Sequence, residues 1–449
     1  MSRRVVIVGF GVTGQAVARA VLAAGDEPVV FDDAPGAGAA GAARLGVDVS
    51  PVPDGPGLAA ALAGADLVVP SPGVPAGHPV LAAAARAGVP VRSEVELAAD
   101  AASRPGGPRV AAVTGTNGKT TVTTLVTAML RSSGIAAVAA GNIGVPMIDA
   151  AASGADVVVA EVSSFQLHFT DRFHPRVSCW LNFAPDHLDW HPSLDHYAAA
   201  KARVWANQGA GDTAVVNADD AAVTAAAEAS IPAGVTVVRY SLRQPVDFRV
   251  EADRLLGPEG PLVEVARLPR CLPHDLSNSL AAAAVALAAG ATAGGCARAL
   301  EATGPLPHRV SLVGRYGGVS WYDDSKATTP DSVVAAVAGF ASVVLIAGGR
   351  NKGLDLSPLG ATVPPVKAVV AIGEAAAHVA AAFAGRVPVK VASTMEAAVD
   401  AARAFAEPGD AVLLSPACAS FDWYQSYGAR GDHFASIVTG AMQKGDEQC

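Results

Sequence analysis

The chain has 449 residues, a formal net charge of −9 from 32 basic and 41 acidic residues, and apolar side chains at 51% of its positions. This length predicts about three domains, and the absence of a clustered basic run argues against a nucleic-acid-binding surface. Five scattered cysteines without a C-x-x-C pair, and apolar runs well short of the roughly 20 residues of a membrane span, predict a protein of the cytoplasm without a nucleic-acid or membrane partner.

Short apolar runs recur along the chain and predict β-strands. They lie at residues 5–8, 29–31, 67–69, 110–113, 157–159, 215–216, 343–346, 369–372 and 412–414. Alanine-rich stretches of helical length separate most of them. Such alternation is typical of βαβ units in largely parallel sheets that are buried on both faces, so the predicted fold class is α/β.

Two turn-rich connectors mark candidate domain boundaries. The first is SRPGGPR at residues 103–109, and the second is GPLPHR at residues 304–309. An alanine-rich stretch at 280–300, before the second connector, is predicted as one helix, and residues 235–272 are predicted as a small excursion of short strands. We therefore expect domains at residues 1–105, 106–305 and 306–449.

The segment VVIVGFGVTGQAVARA places Gly9, Gly11 and Gly14 directly after a predicted strand and at the start of a helix. Such glycines permit a tight turn, the close approach of a diphosphate and close helix–strand packing. Asp32 follows the next strand at the spacing of an acid that binds ribose or a base. The pattern fits NAD or another nucleotide diphosphate, and glycines that serve packing alone are the alternative. SPGV, at residues 71–74, is predicted to reach the same edge of the sheet.

The segment VTGTNGKTT, at residues 113–121, lies between a buried strand and a predicted helix. In this context the loop amides and the helix N-terminus bind phosphate oxygens. Lys119 can reach the outer phosphates, and Thr120 can offer its hydroxyl to Mg²⁺. The usual motif has a glycine at the position of Val113, and this chain has Gly115 instead. The predicted phosphate site comprises Gly115, Thr116, Asn117, Gly118, Lys119, Thr120 and Thr121.

Potential metal ligands follow downstream. Glu161 ends a buried strand in VVVAEVSSFQL, where a carboxylate either holds magnesium or caps the next helix. NFAPDHLDWH contains Asp186, His187, Asp189 and His191 just past another strand. Not all four can bind the metal at once. We predict that His187 is a metal ligand and that the other three support it or are structural.

Lys201 lies in DHYAAAKARVW, a predicted helix, and from its spacing alone we expect a solvated lysine. Taken in order, VTGTNGKTT, EVSSFQL, NFAPDHLDWH, HYAAAK, HDLSNSLAAAA, HR at 308–309, DDSKATTP and GGRNKG resemble the Mur ligases, the ATP-dependent amide-forming enzymes of peptidoglycan synthesis. The resemblance covers essentially the whole chain. It implies a Rossmann-like N-terminal domain, a central P-loop ATPase-type domain with a parallel or mixed sheet, and a Rossmann-like C-terminal domain.

Within the family, GFGVTGQA and LSPACASFDWYQSYGARGDHF resemble the members that add D-glutamate to UDP-N-acetylmuramoyl-L-alanine, and the DNPR motif of diaminopimelate-adding members is absent. The resemblance implies ATP, two magnesium ions and an acyl-phosphate intermediate. It also implies that Lys201 is carbamylated and becomes a carboxylate-like metal ligand, which requires a neutral amine when CO₂ adds. We expect a monomer whose partners are these small-molecule substrates.

The resemblance implies a role for each matching residue. Magnesium is held by Thr120, Glu161, His187 and carbamylated Lys201. Besides the phosphate loop, ATP contacts Asn278, Arg309, Asp324 and Lys326, and the catalytic residues are Lys119, His187, Lys201 and Lys326. The substrates contact Val12, Thr13, Asp32, Asp33, Gly73, Asn142, Ser163, Gln166, His187, Thr328, Lys352, Ser420, Phe421 and Tyr427, and of these the five from Thr328 onward bind D-glutamate.

Other functions fit part of the pattern. Another Mur-type ligase, or a ligase like folylpolyglutamate synthetase, shares the ATP loop and the carbamylated lysine, but the N-terminal glycine domain is not expected in the latter. An NAD-dependent oxidoreductase would leave the phosphate loop, Glu161 and residues 182–191 without a role. A non-catalytic nucleotide-binding regulator would not need the full set of predicted catalytic residues.

Overall fold

The structure, a computed structural model, describes residues 2–446. Within these residues the strands form three sheets of four, nine and six strands. None of the helices in the same range is long and apolar enough to cross a membrane.

The four-stranded sheet is parallel, with the strand order β3-β2-β1-β4. Its strands are β1 (Arg4–Val8), β2 (Glu27–Phe31), β3 (Val49–Ser50) and β4 (Leu67–Pro70), and the helices are α1 (Val12–Ala23), α2 (Ala39–Leu45), α3 (Gly55–Leu62), α4 (Pro79–Ala87) and α5 (Glu94–Ala102). Val6 and Ile7, neighbours that point to opposite faces of β1, are both fully buried. Burial on both faces explains why this strand is a continuous apolar run.

The nine-stranded sheet has the order β13-β12-β11-β10-β9-β8-β5-β7-β6, and its pairings are parallel except those of β12 with β11 and with β13, which are antiparallel. Its strands are β5 (Arg109–Thr114), β6 (Ala137–Gly141), β7 (Val157–Glu161), β8 (Val177–Trp180), β9 (Thr213–Asn217), β10 (Thr236–Ser241), β11 (Phe248–Glu251), β12 (Arg254–Gly257) and β13 (Gly260–Glu264). The accompanying helices are α6 (Lys119–Ser132), α7 (Met147–Ala151), α8 (Ser164–His168), α9 (Leu194–Ala202), α10 (Ala221–Ser230), α11 (Pro273–Ala288) and α12 (Ala293–Ala302). Strands β10 to β13 confirm the predicted excursion of short strands.

The prediction of one helix over residues 280–300 is wrong, because α11 ends at Ala288 and α12 begins at Ala293. Gly290 between them has φ of 103°, a conformation that favours glycine. The hydroxyl of Thr292 then accepts a hydrogen bond from the backbone N–H of Gly295, as a helix N-cap does. The alanine pattern runs through the turn and therefore hides it.

The six-stranded sheet has the order β14-β15-β19-β16-β17-β18 and is parallel except for β14. Its strands are β14 (Ser311–Tyr316), β15 (Val319–Asp323), β16 (Val343–Gly348), β17 (Val366–Ile372), β18 (Val389–Ala392) and β19 (Ala411–Leu414), and its helices are α13 (Pro330–Val337), α14 (Ala376–Phe383), α15 (Met395–Phe405) and α16 (Tyr427–Asp446). Because β15, β19 and β16 are adjacent and parallel, the loops that follow them meet at one edge of the sheet.

The described chain divides into two compact units. The first contains residues up to Phe183 together with Trp190–Val265 and Asn278–Leu300, and so includes the four- and nine-stranded sheets. The second contains Ala184–Asp189, Ala266–Ser277 and the residues from Glu301 onward, and so includes the six-stranded sheet.

Helix α5 lies between the two sheets of the first unit, because Val95 and Ala98 belong to the core of the nine-stranded sheet and Leu97 packs against that of the four-stranded sheet. Two buried carboxylates of this helix bind neighbouring segments. Glu96 accepts hydrogen bonds from the backbone N–H groups of residues 171, 172 and 173. Glu94 accepts one from the backbone N–H of Ile148 at the start of α7, and burial raises the pKa of Glu94 to about 7. These contacts fix α7 and the end of α8 with respect to α5.

Candidate active site

The N-terminal glycine segment borders an open cavity of about 300 Å³ at the carboxyl edge of the four-stranded sheet. Its lining includes Val12, Thr13, Asp32, Asp33 and Gly73. These are the five residues of the predicted N-terminal domain, residues 1–105, that are expected to contact a nucleotide-linked substrate. The structure therefore brings them together around one cavity.

Close backbone contacts give this cavity its shape. A Cβ at Gly14 would stand 2.0 Å from the carbonyl oxygen of Gly9, so the position excludes any side chain. Asp32 accepts hydrogen bonds from the backbone N–H groups of Phe10 and Ala34. The hydroxyl of Ser71 donates to the carbonyl oxygen of Gly9 at 3.0 Å. Asp32 thus holds the loop, and its contact with a ligand stays a prediction.

The segment between β5 and α6 confirms the predicted strand–loop–helix context of VTGTNGKTT. Lys119 is the first residue of α6, and its Nζ donates to the carbonyl oxygens of Gly115 and Thr116 at 2.9 and 2.8 Å. Thr120 and Thr121 follow in the first turn and are half-buried. A loop that leads directly into a helix N-terminus is the arrangement that binds phosphate.

Gly118 is a tight point of this loop. It has φ of 83°, and a Cβ there would stand 2.6 Å from Oδ1 of Asn278, which places this predicted ATP contact beside the loop. We expect Gly118→Ala to weaken ATP binding about tenfold or more and to lower the free energy of unfolding by about 1–3 kcal/mol. Nucleotide titration and urea unfolding measure the two effects.

Gly134→Ala is a matched control for this prediction, because Gly134 lies just past the other end of α6. It has φ of 81°, and an added Cβ would meet no atom within 4 Å. The control therefore adds the backbone strain without the clash. An equal loss of ATP affinity in the two variants would contradict the assigned role of Gly118.

Glu161 lies beside the phosphate loop, because its partner in the neighbouring strand is Val113 of β5. The residue is 2% exposed. Its Oε1 accepts a hydrogen bond from Nδ2 of Asn142 at 2.9 Å, whereas Oε2 has no hydrogen-bond partner among the described residues. A buried carboxylate oxygen is costly to leave unpaired, so this oxygen fits a ligand to a divalent cation. Asn142 orients the carboxylate, and its contact with substrate stays a prediction.

Lys201 is 1% exposed, so the expectation of a solvated lysine from its spacing is wrong. The three alanines at 198–200 allow α9 to pack closely against its surroundings, and this packing buries Lys201. Its Nζ donates to the carbonyl oxygen of Gly115 at 2.8 Å, the same oxygen that accepts from Lys119. Two ammonium groups that share one carbonyl oxygen repel each other.

Two residues of this site were not predicted from the sequence. Tyr197 is buried, its ring centroid lies 4.6 Å from Nζ of Lys201, and its hydroxyl is 3.2 Å from the hydroxyl of Thr116. Asn182 exchanges hydrogen bonds with the backbone of Asn117 at 2.8 and 3.1 Å. Tyr197 stands four residues before Lys201, a spacing that places the two side chains on one helix face and could have identified it.

Ser163 and Gln166, both predicted substrate contacts, form a capping box at the start of α8. The Ser163 hydroxyl accepts from the backbone N–H of Gln166, and Oε1 of Gln166 accepts from the backbone N–H of Ser163 at 2.9 Å. Ser163 is thus the helix cap, and Glu161 is not. Substrate contact by this pair stays a prediction.

His187 belongs to the second compact unit, with the rest of residues 184–189. It has φ of 56°, and its backbone N–H donates to Oδ1 of Asp186 at 2.8 Å. Oδ2 of the same carboxylate lies 3.4 Å from Nε2 of the imidazole. Asp186 therefore holds the backbone and the imidazole of His187, and the role of His187 as a metal ligand stays a prediction. His191 lies in the first unit and contacts the Ser164 hydroxyl at 2.9 Å, so it is structural there.

Asp324 and Lys326 follow β15 in the second unit. Asp324 is buried and accepts a hydrogen bond from the hydroxyl of Ser415 at 2.7 Å, and burial raises its pKa to about 7. Nζ of Lys326 lies 3.7 Å from the ring centroid of Tyr427, a cation–π contact. The ring thereby positions the lysine predicted to reach the γ-phosphate.

Four of the five residues predicted to bind an amino acid lie in the loops after three adjacent strands, and the fifth, Tyr427, is the first residue of α16. Thr328 follows β15, Lys352 follows β16, and Ser420 and Phe421 follow β19. Ser420 is buried, whereas Phe421 is 61% exposed. The structure therefore brings the four backbone positions to one edge of the sheet.

The aromatic residues Trp423 and Tyr424 pack against the hydrophobic core of the second unit. The hydroxyl of Tyr424 also lies 2.8 Å from Nδ1 of His433 on α16. They anchor the segment between β19 and α16.

Arg309 lies in a strained segment that precedes β14. His308 and Val310 have φ of 59° and 48°, a region that costs a β-branched residue about 1–3 kcal/mol. Nη1 of Arg270 donates to the carbonyl oxygens of Arg309 and Val310, and its guanidinium forms a bidentate pair with Asp275. Arg270, which the sequence reasoning missed, thus fixes the backbone that carries Arg309.

The predicted site residues divide between the two units. The first unit combines a phosphate-type loop with a carboxylate and a buried lysine, and it also holds the cavity of the glycine segment. The second unit combines cationic, carboxylate and hydroxyl side chains at one sheet edge. Among the described residues, no group of three or more histidine, cysteine or acidic side chains is arranged to hold a metal ion. The predicted metal ligands include only two such residues, Glu161 and His187.

Three family models match the chain in order. They are "Mur ligase MurD-like, N-terminal domain" over residues 3–93, "Mur ligase middle domain" over 113–286 and "Mur ligase, glutamate ligase domain" over 308–418.

Curated relatives cover almost the whole chain. The UDP-N-acetylmuramoylalanine–D-glutamate ligase of Frankia casuarinae is 46% identical over 97% of this chain and 93% of its own length. The ligase of the same name from Desulfosudis oleivorans is 40% identical over 99% of this chain and 98% of its own. Among solved structures, the UDP-N-acetylmuramate–alanine ligase of Thermotoga maritima is 17% identical, covers 98% of this chain and 99% of its own, and has a TM-score of 0.60, a likeness of fold.

Proposed function

This chain belongs to the Mur ligase family, and from that premise we propose that it joins D-glutamate to UDP-N-acetylmuramoyl-L-alanine with the use of ATP. The product is a precursor of peptidoglycan, and we place the reaction in the cytoplasm, in a monomeric enzyme. We further propose that residues 1–105 bind the UDP-sugar substrate, 106–305 bind ATP, and 306–449 bind the amino acid.

One observation carries this proposal above all. The carbonyl oxygen of Gly115, within the phosphate loop, accepts hydrogen bonds from both Lys119 and Lys201. Glu161 lies beside the same loop, and one of its buried oxygens has no hydrogen-bond partner in the part of the chain that the structure describes. A simple nucleotide-binding module needs the loop lysine but neither the second buried lysine nor the carboxylate. An enzyme that moves a phosphoryl group needs charges of both signs at this point.

The chemistry takes two steps. In the first, the carboxylate of the alanine residue in the UDP-linked substrate attacks the γ-phosphorus of ATP; a P–O bond to the β-phosphate breaks, and an acyl phosphate and ADP form. In the second, the amine of D-glutamate attacks the carbonyl carbon, loses a proton, and displaces inorganic phosphate. Both reactants of the first step are anions, so Lys119 and Lys326 are assigned to neutralise their charge.

Magnesium, when bound, neutralises phosphate oxygens and polarises the γ-phosphoryl group. Thr120, Glu161, His187 and carbamylated Lys201 would hold two ions. The carbamate forms when the neutral amine of Lys201 adds to CO₂ and releases a proton. It replaces a cation by an anion next to Lys119, and this change removes the repulsion between the two lysines at Gly115.

The second unit supplies the amino-acid side of the proposal. Lys352 offers a cation, and Thr328 and Ser420 offer hydroxyls, for the carboxylates of glutamate. Lys326 lies within the same set of loops, where the Tyr427 ring positions it. We assign Asn278, Arg309 and Asp324 to the adenosine part and the phosphates of ATP.

An amino-acid-dependent phosphate-release assay tests the function. ATP, magnesium and UDP-N-acetylmuramoyl-L-alanine are supplied with D-glutamate, L-glutamate, L-alanine or diaminopimelate in turn. We expect phosphate release with D-glutamate alone, since the other amino acids differ in chirality or in side-chain length and charge. Release with another amino acid and none with D-glutamate would overturn the substrate assignment.

A further inference from the structure

Arg430, in the first turn of α16, is 1% exposed and is one of the largest fully buried side chains of the described protein. It lies in the family-like segment at residues 414–434, to which the sequence reasoning gave no role for this arginine. Its guanidinium lies beneath the edge of the six-stranded sheet at which the amino-acid residues converge.

The guanidinium binds the loops that follow two adjacent strands. Nε donates to the hydroxyl of Ser325 at 2.9 Å, and Nη2 donates to the carbonyl oxygen of the same residue at 2.9 Å. On the other side, Nη2 donates to the carbonyl oxygen of Cys418 at 3.1 Å and Nη1 to that of Ala419 at 3.3 Å. These loops carry Lys326 and Ser420. Lys326 directly follows Ser325, and Ser420 directly follows Ala419, and Arg430 binds both of these neighbours.

A third loop, the one after β16, packs directly on the guanidinium. A Cβ at Gly349 would stand 3.0 Å from Nη1 of Arg430, and the residue has φ of 131°. Lys352 follows three residues later. One side chain therefore lies against all three loops that carry the predicted amino-acid contacts.

The acceptors of Arg430 are all neutral. Among the described residues no carboxylate lies within ion-pair distance of it; Asp422 and Asp323 act on it only from farther away. Burial lowers the pKa of Arg430 to about 10, so the group stays charged at neutral pH. Burial of a guanidinium is costly when no anion pairs with it, and here only hydrogen bonds to neutral groups compensate for the loss of water. Its positive charge is offset only by these two more distant carboxylates, so part of its field reaches the loops above it.

We propose that Arg430 is a positioning residue of the amino-acid site: it sets the relative placement of the three loops and leaves beneath them a positive charge that favours a dicarboxylate amino acid. This inference rests on the proposed function. It predicts that the loss of Arg430 acts on the amino acid and leaves ATP and the UDP-sugar substrate almost unaffected.

The test compares Arg430→Met, Arg430→Lys and Arg430→Ala with the wild type in the phosphate-release assay. We expect KM for D-glutamate to rise about 100-fold in Arg430→Met, the size that a misplacement of about 1 Å produces, with KM for ATP close to that of the wild type. Arg430→Lys keeps the charge but not the fork of donors and is expected to recover part of the loss. Guanidinium chloride at low concentration should restore Arg430→Ala, whereas sodium chloride should not.

Ser325→Ala is the second variant, because it removes one acceptor of Arg430 and leaves the arginine in place. It should also raise KM for D-glutamate, but by less than Arg430→Met does. If the Arg430 variants do not fold, Ser325→Ala still tests the proposal. Arg386→Met is the control, because Arg386 is exposed and donates to the carbonyl oxygen of Gly360 in the same unit. Its three KM values should match those of the wild type.

Two results would overturn the inference: an unchanged KM for the amino acid in Arg430→Met and Ser325→Ala, or an equal rise of all three KM values in parallel with a fall in Tm. The amino acid used is the one that the wild type accepts. If the wild type prefers an amino acid other than D-glutamate, the proposed substrate fails, and the comparison of KM values still decides the role of Arg430.

Discussion

Lys201→Ala is expected to lower kcat by about 1,000-fold, the equivalent of roughly 4 kcal/mol of transition-state stabilisation. The reason lies in the position of the amine, which is buried and shares the carbonyl oxygen of Gly115 with Lys119. If the amine carries a carbamate, alanine removes a carboxylate-like metal ligand. Short carboxylic acids such as acetate should then occupy the vacated volume and restore part of kcat.

The rescue separates a carbamate from a simple ammonium. An added amine such as methylamine would restore activity if the lysine acted as a cation, and an added carboxylate would not. Lys390→Ala, at an exposed lysine of β18, is the control and should keep the kcat of the wild type. Wild-type activity of Lys201→Ala, or rescue by the amine alone, would refute the carbamate.

Glu161→Gln is expected to reduce kcat by about 100- to 1,000-fold and to raise the magnesium concentration needed for half-maximal activity, since several kcal/mol of metal stabilisation depend on this ligand. The variant is nearly isosteric, and its carbonyl oxygen can still accept from Nδ2 of Asn142. It removes a buried charge whose second oxygen has no partner among the described residues. Without magnesium, Tm should therefore stay the same or rise.

Glu161→Gln is thus expected to lower kcat without lowering Tm, and this combination distinguishes a metal ligand from a structural carboxylate. A purely structural carboxylate would lose stability and activity together when it is replaced. Glu228→Gln, at an exposed position of α10, is the control for a general change of charge and should alter neither quantity. If the magnesium dependence of Glu161→Gln equals that of the wild type, Glu161 is not a metal ligand.

Local sequence patterns predicted most of the fold. Each of the nine apolar runs lies in a strand, because strands buried on both faces need continuous apolar residues. The strands β3, β6, β14, β15 and β18 were not predicted. β3 has only two residues, which carry no periodicity, and the others interrupt their apolar residues with glycine, alanine or polar side chains. The break between α11 and α12 was missed because alanine is compatible with both helix and turn, and a single glycine decides the outcome.

Site residues that belong to one local loop were predicted from the sequence. Residues whose place in the site depends on contacts distant in the sequence were missed or misjudged. The phosphate loop is a local motif, and its context could be read directly. The burial of Lys201 comes from packing of α9, which no spacing reveals. Asn182 and Arg430 lie inside the family-like segments at 182–191 and 414–434, but neither segment shows that these two side chains support a backbone. A residue with such a role can come from any element that passes beneath the loop.

The hydrogen bonds of Lys119 have a consequence for nucleotide binding. Its ammonium group already joins the carbonyl oxygens of Gly115 and Thr116 across the loop. A phosphate that takes up the ammonium must therefore compete with these two carbonyls, and the net gain is the difference between old and new bonds. In return, the loop holds its curvature before the ligand arrives, and the entropy of ordering it has already been lost during folding. We therefore expect nucleotide binding at this loop to exchange hydrogen-bond partners of Lys119 rather than to add new bonds to a free ammonium group.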